Sequence, residues 1–258
     1  MKLYQEQSTW WVTGASSGIG RSIALELARN KMRIAITARN TDALEVVATE
    51  CLALGATSCL VAAADLTNPA EATSCYQKVI NNFKTIDVLI ANAGIYKPTE
   101  VKEFSTEDAL YEMDLNYGAF VRCLGLVLPQ MVEDRNGHVV GVSSVAGFRG
   151  LPRAAGYGAS KAAMSHFLES LKLDVAPLGI KVTVVHPGFV KTPLTDKNDF
   201  PMPCLIDSET AAAKIVSGVQ NGDWEIHFPW RFTFFMKFLR LLPRKLYFSL
   251  INLSKNNK

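Results

Sequence analysis

The alternation of short β-branched runs with longer helical patterns is the feature that most constrains the fold of this chain. Apolar strands separated by helices predict parallel βαβ units, in which helices cover both faces of one sheet. The expected strands are Ser8–Thr13, Arg33–Ala38, Ser58–Ala63, Asp87–Ala91, His138–Ser143, Lys181–His186 and Trp224–Phe228. The expected helices are Gly18–Asn30, Thr41–Leu54, Pro69–Phe83, Thr106–Met131, Ala155–Ala176 and Ser208–Asn221. This pattern favours a doubly wound α/β fold with a mostly parallel seven-stranded sheet.

No repeat or linker interrupts the alternation, so we expect one domain over residues 1–229, with residues 230–258 as an extension of the same domain. The extension holds seven Lys/Arg and no Asp/Glu, whereas the rest of the chain holds 20 basic and 24 acidic residues. A mildly acidic body with a basic tail argues against nucleic acid as the main partner.

Cysteine usage and segment composition bear on the compartment. The five cysteines are odd in number and form no CxxC motif, which suggests reduced thiols in a cytoplasmic protein. Met1–Trp11 has no apolar h-region of a signal peptide, and we expect no membrane-spanning helix. The four histidines lack metal-ligand spacing, so no metal site is expected.

A glycine-rich turn, Thr13–Gly20, joins the first strand to the first helix. Glycines let the backbone turn tightly and approach a ligand, and the N-terminus of the following helix attracts a pyrophosphate. The turn therefore predicts dinucleotide binding in a Rossmann-type fold. The second strand ends in Arg39 and Asn40, without the acidic residue that would bind a ribose 2′-hydroxyl. Arg39 can pair with a 2′-phosphate, so we expect NADP(H) in preference to NAD(H).

Tyr157 and Lys161 lie four residues apart, which places them on one face of a helix. A phenol titrates near pH ~10, and a nearby ammonium favours its phenolate and lowers its pKa. The pair is suited to give and take a proton in an alcohol/carbonyl interconversion.

Together these motifs resemble the short-chain dehydrogenase/reductase family from about Thr9 to Phe228. Thr13–Gly20 has the family's Thr-Gly-x-x-x-Gly-x-Gly spacing, and Asn92-Ala93-Gly94 resembles its Asn-Asn-Ala-Gly motif, with Ala91 in place of the first Asn. The positions that resemble the catalytic tetrad, in order, are Asn116, Ser144, Tyr157 and Lys161.

The resemblance implies a cofactor site and an assembly. It also covers the adenine-contacting pair Asp65-Leu66 and the segment from Pro187 that holds the carboxamide. The residues expected to contact NADP(H) are Gly14, Ser16, Ser17, Gly18, Ile19, Gly20, Arg39, Asp65, Leu66, Asn92, Ala93, Gly94, Tyr157, Lys161, Pro187, Gly188, Val190 and Thr192. A homodimer or homotetramer is expected.

The resemblance further implies a role for each tetrad residue. Hydride passes between the nicotinamide and a carbonyl carbon while Tyr157 gives or takes the proton. Lys161 holds the ribose hydroxyls and lowers the pKa of Tyr157. Ser144 orients the substrate oxygen, and Asn116 locally disturbs its helix and holds a water in a relay to Lys161.

The substrate is expected to be a hydrophobic, lipid-like alcohol, ketone or aldehyde, because the loops beyond the strand ends are mostly apolar. Ser144, Leu151, Tyr157 and Phe189 are the expected contacts. Further candidates are Tyr96, Phe148, Leu194 and Phe200. Lys97, Arg149 and Lys191 keep an acidic substrate open, and Lys191–Pro203 has the length of a lid.

The basic, aromatic tail admits several interpretations. Thr233, Lys237, Arg240 and Arg244 recur as one helical stripe, and Pro243 is expected to kink or break that helix. A basic stripe beside an aromatic-rich face suits peripheral contact of residues 230–258 with a membrane surface. Packing on its own domain, cover over the substrate mouth and a subunit interface remain open.

Two other functions compete with an NADP(H)-dependent oxidoreductase. One is a catalytically silent NADP-binding module whose tail engages a membrane or a protein, which the complete tetrad disfavours. The other is an epimerase or dehydratase, whose glycine spacing and longer substrate domain are absent here.

Overall fold

The computed structural model describes residues 8–256. The strands are β1 (Thr9–Thr13), β2 (Arg33–Thr37), β3 (Ser58–Val61), β4 (Val88–Ala91), β5 (Gly137–Val142), β6 (Ile180–Pro187) and β7 (Glu225–Phe228). The helices are α1 (Gly18–Arg29), α2 (Thr41–Ala53), α3 (Pro69–Phe83), α4 (Thr106–Met113), α5 (Ala119–Glu133), α6 (Ala155–Val175), α7 (Ser208–Asn221), α8 (Trp230–Leu241) and α9 (Arg244–Asn256).

The seven strands form one sheet in the order β3-β2-β1-β4-β5-β6-β7, and every pairing is parallel. The doubly wound α/β prediction is therefore confirmed. The strand order reverses at β1, where Val12 pairs with Ile36 of β2 on one side and Ile90 of β4 on the other. Loops that leave the carboxyl ends of β1 and β4 diverge there, and ligands bind at such a point in open α/β sheets.

Both faces of the sheet are covered, which explains the nearly continuous apolar runs of its strands. All five residues of β1 are buried. Trp10 packs in the core layer that contains Leu27 and Ile215, whereas its neighbour Trp11 packs in the opposite layer with Leu124. Side chains that alternate along one strand thus hold two helical layers to the same sheet.

The expected helical region Thr106–Met131 is divided by a π-helical turn at Asp114–Gly118. The 28-residue stretch Thr106–Glu133 also contains an 18-residue window with a mean hydropathy of 1.2, so by length and composition it could cross a membrane. Such a helix is not among those expected from the sequence. One side of it, including Phe120 and Leu124, is buried in the core, as in the core helix of a globular domain.

The C-terminal tail forms two helices, α8 and α9, which break at Pro243 as expected. Its inner side chains, Met236, Leu239 and Tyr247, pack with Val145 and Phe148 beyond the end of β5. The expected basic stripe of α8 is wrong. Thr233 is fully buried and bonds to the Pro229 carbonyl at 3.1 Å, and Lys237 pairs with Glu225 at 2.6 Å. Periodicity groups residues on one face, but the packing partner decides which face turns inward.

Candidate active site

The glycine-rich turn after β1 has a backbone that only glycine can provide at two positions. Gly14 has a φ of +66°, and a Cβ there would lie 2.7 Å from the Cα of Ala93. A Cβ on Gly20 would lie 2.2 Å from the carbonyl oxygen of Gly14. The turn and the start of α1 are therefore packed backbone against backbone.

The N-terminus of α1 has the features of a phosphate cradle. Its N-cap, Ser17, makes no side-chain capping bond, and its first turn carries no acidic residue. In contrast, Asn40 and Asn68 cap α2 and α3 with their side chains. Because the first N–H groups of a helix have no partner within the helix, those of α1 are free to bind an anion. The residues at this turn fit the pyrophosphate of a dinucleotide.

The Asn92 side chain anchors this turn to the end of β4. Its Nδ2 donates to the carbonyl oxygens of Thr13 at 3.0 Å and Gly14 at 3.2 Å. The Thr13 hydroxyl in turn accepts from the backbone N–H groups of Asn92 and Ala93. Ala91, the departure from the family motif, is buried at the end of β4 and takes no part. The Asn92 side chain thus fixes the shape of the glycine-rich turn.

The residues expected at the adenosine end lie at the ends of β2 and β3. Arg39 is exposed and donates to the Tyr111 hydroxyl at 3.0 Å. Burial raises the pKa of Asp65, but two hydrogen bonds from Thr67 and the charges of Arg39 and Arg122 outweigh it and lower that pKa. Leu66 turns its side chain into the core. The end of β2 carries the Arg39 guanidinium and no carboxylate of its own, which fits a 2′-phosphate.

The catalytic candidates converge at the carboxyl ends of β5 and β4. Ser144 follows β5, and its hydroxyl accepts from the Ala146 N–H at 3.1 Å and hydrogen-bonds to Tyr157. The Lys161 Nζ lies 5.8 Å from the centre of the Tyr157 ring and donates to the Val142 carbonyl at 2.8 Å. The fold therefore places a phenol, a hydroxyl and an ammonium within one small space.

Burial dominates the protonation of this pair. It raises the pKa of Tyr157 to about 12, with the Ser144 hydrogen bond acting in the opposite direction. It also lowers the pKa of Lys161 to about 8. In the chain alone the Lys161 ammonium donates to the Val142 carbonyl, and the expectation that it lowers the pKa of Tyr157 stays a prediction. The phenol is protonated at neutral pH and ready to donate.

Asn116 lies in the π-helical turn between α4 and α5 and is completely buried. Its Oδ1 accepts from the Ile95 N–H at 2.7 Å, and its Nδ2 donates to the Ile95 carbonyl and to Ser160. A Cβ on Gly94 would lie 3.0 Å from Asn116 Oδ1 and 3.4 Å from Lys161 Nζ, so both groups border the same space. The local disturbance of the helix is present, and it fixes the loop after β4 against α6.

Glu112 contributes to the site and was missed in the sequence. It is buried on α4, and its carboxylate accepts from the Lys97 N–H at 2.8 Å and from the Tyr157 N–H. Helix α6 begins without a side-chain cap of its own, so this carboxylate supplies one beside Tyr157. A lone Glu in an amphipathic pattern gives no sequence signal for such a role.

The carboxamide segment lies between β6 and the glycine-rich turn. Pro187 ends β6, and Gly188 donates its N–H to the Phe228 carbonyl at 2.7 Å. Val190 turns its side chain into the core. Thr192 lies over the cofactor turn, since a Cβ on Gly18 would come within 3.1 Å of its methyl group. The segment is thus positioned to close one side of the cofactor cradle.

Most of the expected substrate residues are half-buried, whereas Phe148 lies in the core. The ring centres of Tyr96 and Tyr157 are 5.0 Å apart. The ring centre of Phe189 lies 5.2 Å from that of Phe232 on α8 and 5.9 Å from that of Phe200. Leu151 packs at the edge of the tail core. Leu194 is half-buried beyond Thr192. Phe148, by contrast, is buried against His186 and is a core residue rather than a substrate contact.

Two of the three cations that left an acidic substrate open are engaged elsewhere. Arg149 donates to the carbonyl oxygens of Leu239, Arg240 and Leu242 in the tail. Lys97 pairs with Asp108. The third, Lys191, is exposed.

Comparison with known proteins identifies the family of this chain. The family model described as short chain dehydrogenase matches residues 8–201. The chain belongs to the short-chain dehydrogenase family. An uncharacterized oxidoreductase of Myxococcus xanthus is 40% identical over 236 residues, which cover 92% of this dehydrogenase and 93% of that protein. The 11-beta-hydroxysteroid dehydrogenase-like 4A protein of Arabidopsis thaliana is 33% identical over 219 residues, 82% of this chain and 73% of that one.

A solved structure shows the same fold. The short-chain dehydrogenase from Sphingobium yanoikuyae in complex with NADPH superposes with a TM-score of 0.79 at 24% identity, over 96% of this chain and 94% of that chain. The family resemblance predicted from the motifs is confirmed. This short-chain dehydrogenase is therefore an oxidoreductase by family.

Proposed function

We propose that this dehydrogenase transfers a hydride between NADP(H) and an alcohol or carbonyl group of a hydrophobic substrate, with Tyr157 as the general acid/base. The observation that carries the proposal is the meeting of Tyr157, Ser144 and Lys161 at the carboxyl end of β5, on the edge of the parallel sheet from which the uncapped helix α1 also begins. A nicotinamide, when bound, supplies or accepts the hydride.

Each tetrad residue has a role that its contacts support. The Tyr157 phenol donates a proton to the developing alkoxide, or removes it in the reverse direction. The Ser144 hydroxyl orients the substrate oxygen toward that phenol. Lys161 holds the ribose hydroxyl groups of the cofactor near Tyr157 and provides positive charge. Asn116 donates to Ser160, the neighbour of Lys161 on α6, and so maintains the shape of the cavity on that side.

Arg39 supports the preference for NADP(H). The end of β2 offers a guanidinium and no carboxylate to a bound ribose, which favours a 2′-phosphate over two free hydroxyls. The solved relative from Sphingobium yanoikuyae is described with NADPH.

An apolar substrate is supported by the surroundings of Tyr157. The ring of Tyr96 lies beside Tyr157, and we assign Phe189 and Leu151, which pack against α8 and the tail core, to the same apolar substrate region. Of the nearby cations, Arg149 is held by the tail and Arg153 pairs with Asp199 at 2.7 Å. The name of the Arabidopsis relative, a hydroxysteroid dehydrogenase-like protein, agrees with a large apolar alcohol or ketone.

The Tyr157→Phe variant tests the proposal. It removes the hydroxyl without changing the ring, and we expect turnover to fall by at least ~10²–10⁴ while NADPH binding is nearly unchanged. Carbonyl-dependent NADPH oxidation and a fluorescence titration of bound NADPH measure the two quantities. Tyr96→Phe is the matched control, since it deletes a neighbouring hydroxyl and should retain turnover. Full activity of Tyr157→Phe would refute the assignment.

A further inference from the structure

The outer side of the tail helices is apolar and exposed. On α8, the side chains at spacings of four, four and three residues are exposed to 66% (Trp230), 67% (Phe234), 56% (Phe238) and 81% (Leu241). On α9, Leu246, Leu250 and Leu253 form a similar exposed stripe. We call these two stripes, with Phe235 and Phe248, the tail face. So large a group of exposed apolar side chains marks an interaction surface.

The domain itself fixes the orientation of the tail face. The opposite side of α8 carries Met236 and Leu239, which are already buried in the core beyond β5. The guanidinium of Arg149 binds three carbonyl oxygens at the C-terminus of α8, and the Tyr247 hydroxyl donates to the Gly150 carbonyl at 2.6 Å. Rotation of α8 to bury its outer aromatic residues would break these contacts, so the face is held toward solvent.

Positive charge surrounds this apolar surface. Arg231, Arg240, Arg244 and Lys245 are all exposed on the tail helices. Residues 230–258 contain no Asp or Glu, whereas the rest of the chain carries a charge of −4 from 20 basic and 24 acidic residues. The surface therefore combines aromatic and aliphatic groups with cations, which is complementary to an apolar layer covered by anionic groups.

We propose that the tail face docks on the surface of an anionic lipid bilayer. Helices of this kind lie in the interfacial plane, with the apolar face among the acyl chains and Lys/Arg at the headgroups. Aromatic side chains such as Trp230 are enriched at that depth. Each exposed cation strengthens attraction to an anionic surface about fivefold, the equivalent of about 1 kcal/mol.

A second copy of the chain fits this face less well than a bilayer does. A twofold interface uses the same patch on both subunits. Pairing through the tail face would bring four exposed cations of one copy toward the same four of the other, and this segment offers no carboxylate to neutralise them. The predicted homodimer or homotetramer is therefore expected to use another surface.

Docking gives the proposed reaction a route for its substrate. Phe232, on the inner side of α8, contacts Phe189 at 5.2 Å, and a Cβ on Gly188 would lie 2.8 Å from its ring. One helix thus borders the substrate region on one side and carries the docking surface on the other. Delivery of a lipid-dissolved alcohol or ketone rests on the proposed function, whereas docking itself does not.

Co-sedimentation of the full chain with vesicles tests docking without any activity measurement. We expect binding to mixed phosphatidylcholine–phosphatidylglycerol vesicles and at least about fivefold weaker binding to phosphatidylcholine alone. The Phe234→Ser/Phe238→Ser double variant should bind at least about tenfold more weakly to both. Leu173→Ser, which alters an apolar side chain exposed to 77% on α6, is the matched control and should bind as the unmodified chain does.

Two further measurements separate the alternatives. Arg231→Gln/Arg240→Gln should weaken binding to anionic vesicles and leave binding to neutral ones unchanged. NADPH oxidation with a water-soluble carbonyl should be the same in the Phe234→Ser/Phe238→Ser variant, which shows that it folds and keeps its site. Docking would be overturned if the unmodified chain failed to sediment with anionic vesicles. It would also be overturned if the double variant bound equally well, or if its only change were a smaller mass in solution, which would indicate a subunit interface.

Discussion

The glycine-rich turn at the start of the chain and the helical tail at its end serve the same site by opposite means. The turn works through its backbone, since at Gly14 and Gly20 even a methyl group would clash with neighbouring main-chain atoms. The tail works through large side chains, such as Met236 and Tyr247, that pack beside the loop after Ser144. A site that is shaped by the backbone can be predicted from residue type alone, because only glycine permits such a turn. A site that is shaped by packed side chains can be predicted only when the segment that packs against them is known.

The largest expected effect on this contrast is at Gly20. In Gly20→Ala the new methyl group would lie 2.2 Å from the Gly14 carbonyl oxygen, so the turn must move. We expect NADPH affinity to fall by at least about a hundredfold, because the N–H groups at the start of α1 would no longer point at the bound phosphate. Fluorescence titration measures the affinity, and circular dichroism verifies the fold. Gly125 lies on α5, where an added Cβ would have no atom within 4 Å outside its own helix backbone. Gly125→Ala is therefore the control and should bind NADPH normally. Equal affinities would show that the turn tolerates side chains.

The tail contributes to stability in a pH-dependent way through Glu225. His186, 3.0 Å away, and Lys237, at 2.6 Å, outweigh burial and hold the pKa of Glu225 at about 2, below its usual 4.5. A depressed carboxyl pKa stabilises the fold above the unfolded value, and this stability is lost as the pH falls from 4.5 toward 2. The advantage over Glu225→Gln should be at most about 3 kcal/mol near neutrality.

Urea unfolding at several pH values measures that advantage. It should shrink steadily below about pH 4.5. Lys237→Met removes only the tail partner, so it should lose part of the advantage and retain the rest through His186. A gap between the unmodified chain and Glu225→Gln that did not change with pH would contradict this role of the carboxylate.

The smallest expected effect concerns Arg39 and sharpens the account of the turn. Arg39→Ser removes the cation at the end of β2 that we assign to a 2′-phosphate and should weaken NADPH binding about tenfold, as the loss of a charge-assisted hydrogen bond does. NADH binding should be nearly unchanged, so the ratio of the two dissociation constants is the quantity to measure. An equal loss for both cofactors would assign Arg39 a structural role through Tyr111.

The same contrast explains which parts of the fold and of the candidate site could be predicted from the sequence alone. The seven parallel strands and the glycine-rich turn could be predicted from apolar runs and small residues, whose meaning is local, and the pairing of Tyr157 with Lys161 could be predicted from their spacing. The contacts of Asn116 with Ile95 and the capping of α6 by Glu112 join segments far apart in the chain. Nothing local to Glu112 signals that role. The inward turn of Thr233 similarly depended on which surface α8 would meet.

The measurement that tests the central claim most directly is carbonyl-dependent oxidation of NADPH. The chain is mixed with NADPH and a panel of apolar ketones and aldehydes, and the loss of reduced cofactor is followed beside a parallel series with NADH. We predict oxidation that requires the carbonyl, is faster with NADPH and is lost in Tyr157→Phe. Tight binding of NADPH with no oxidation by any member of the panel would contradict the account and indicate a silent binding module.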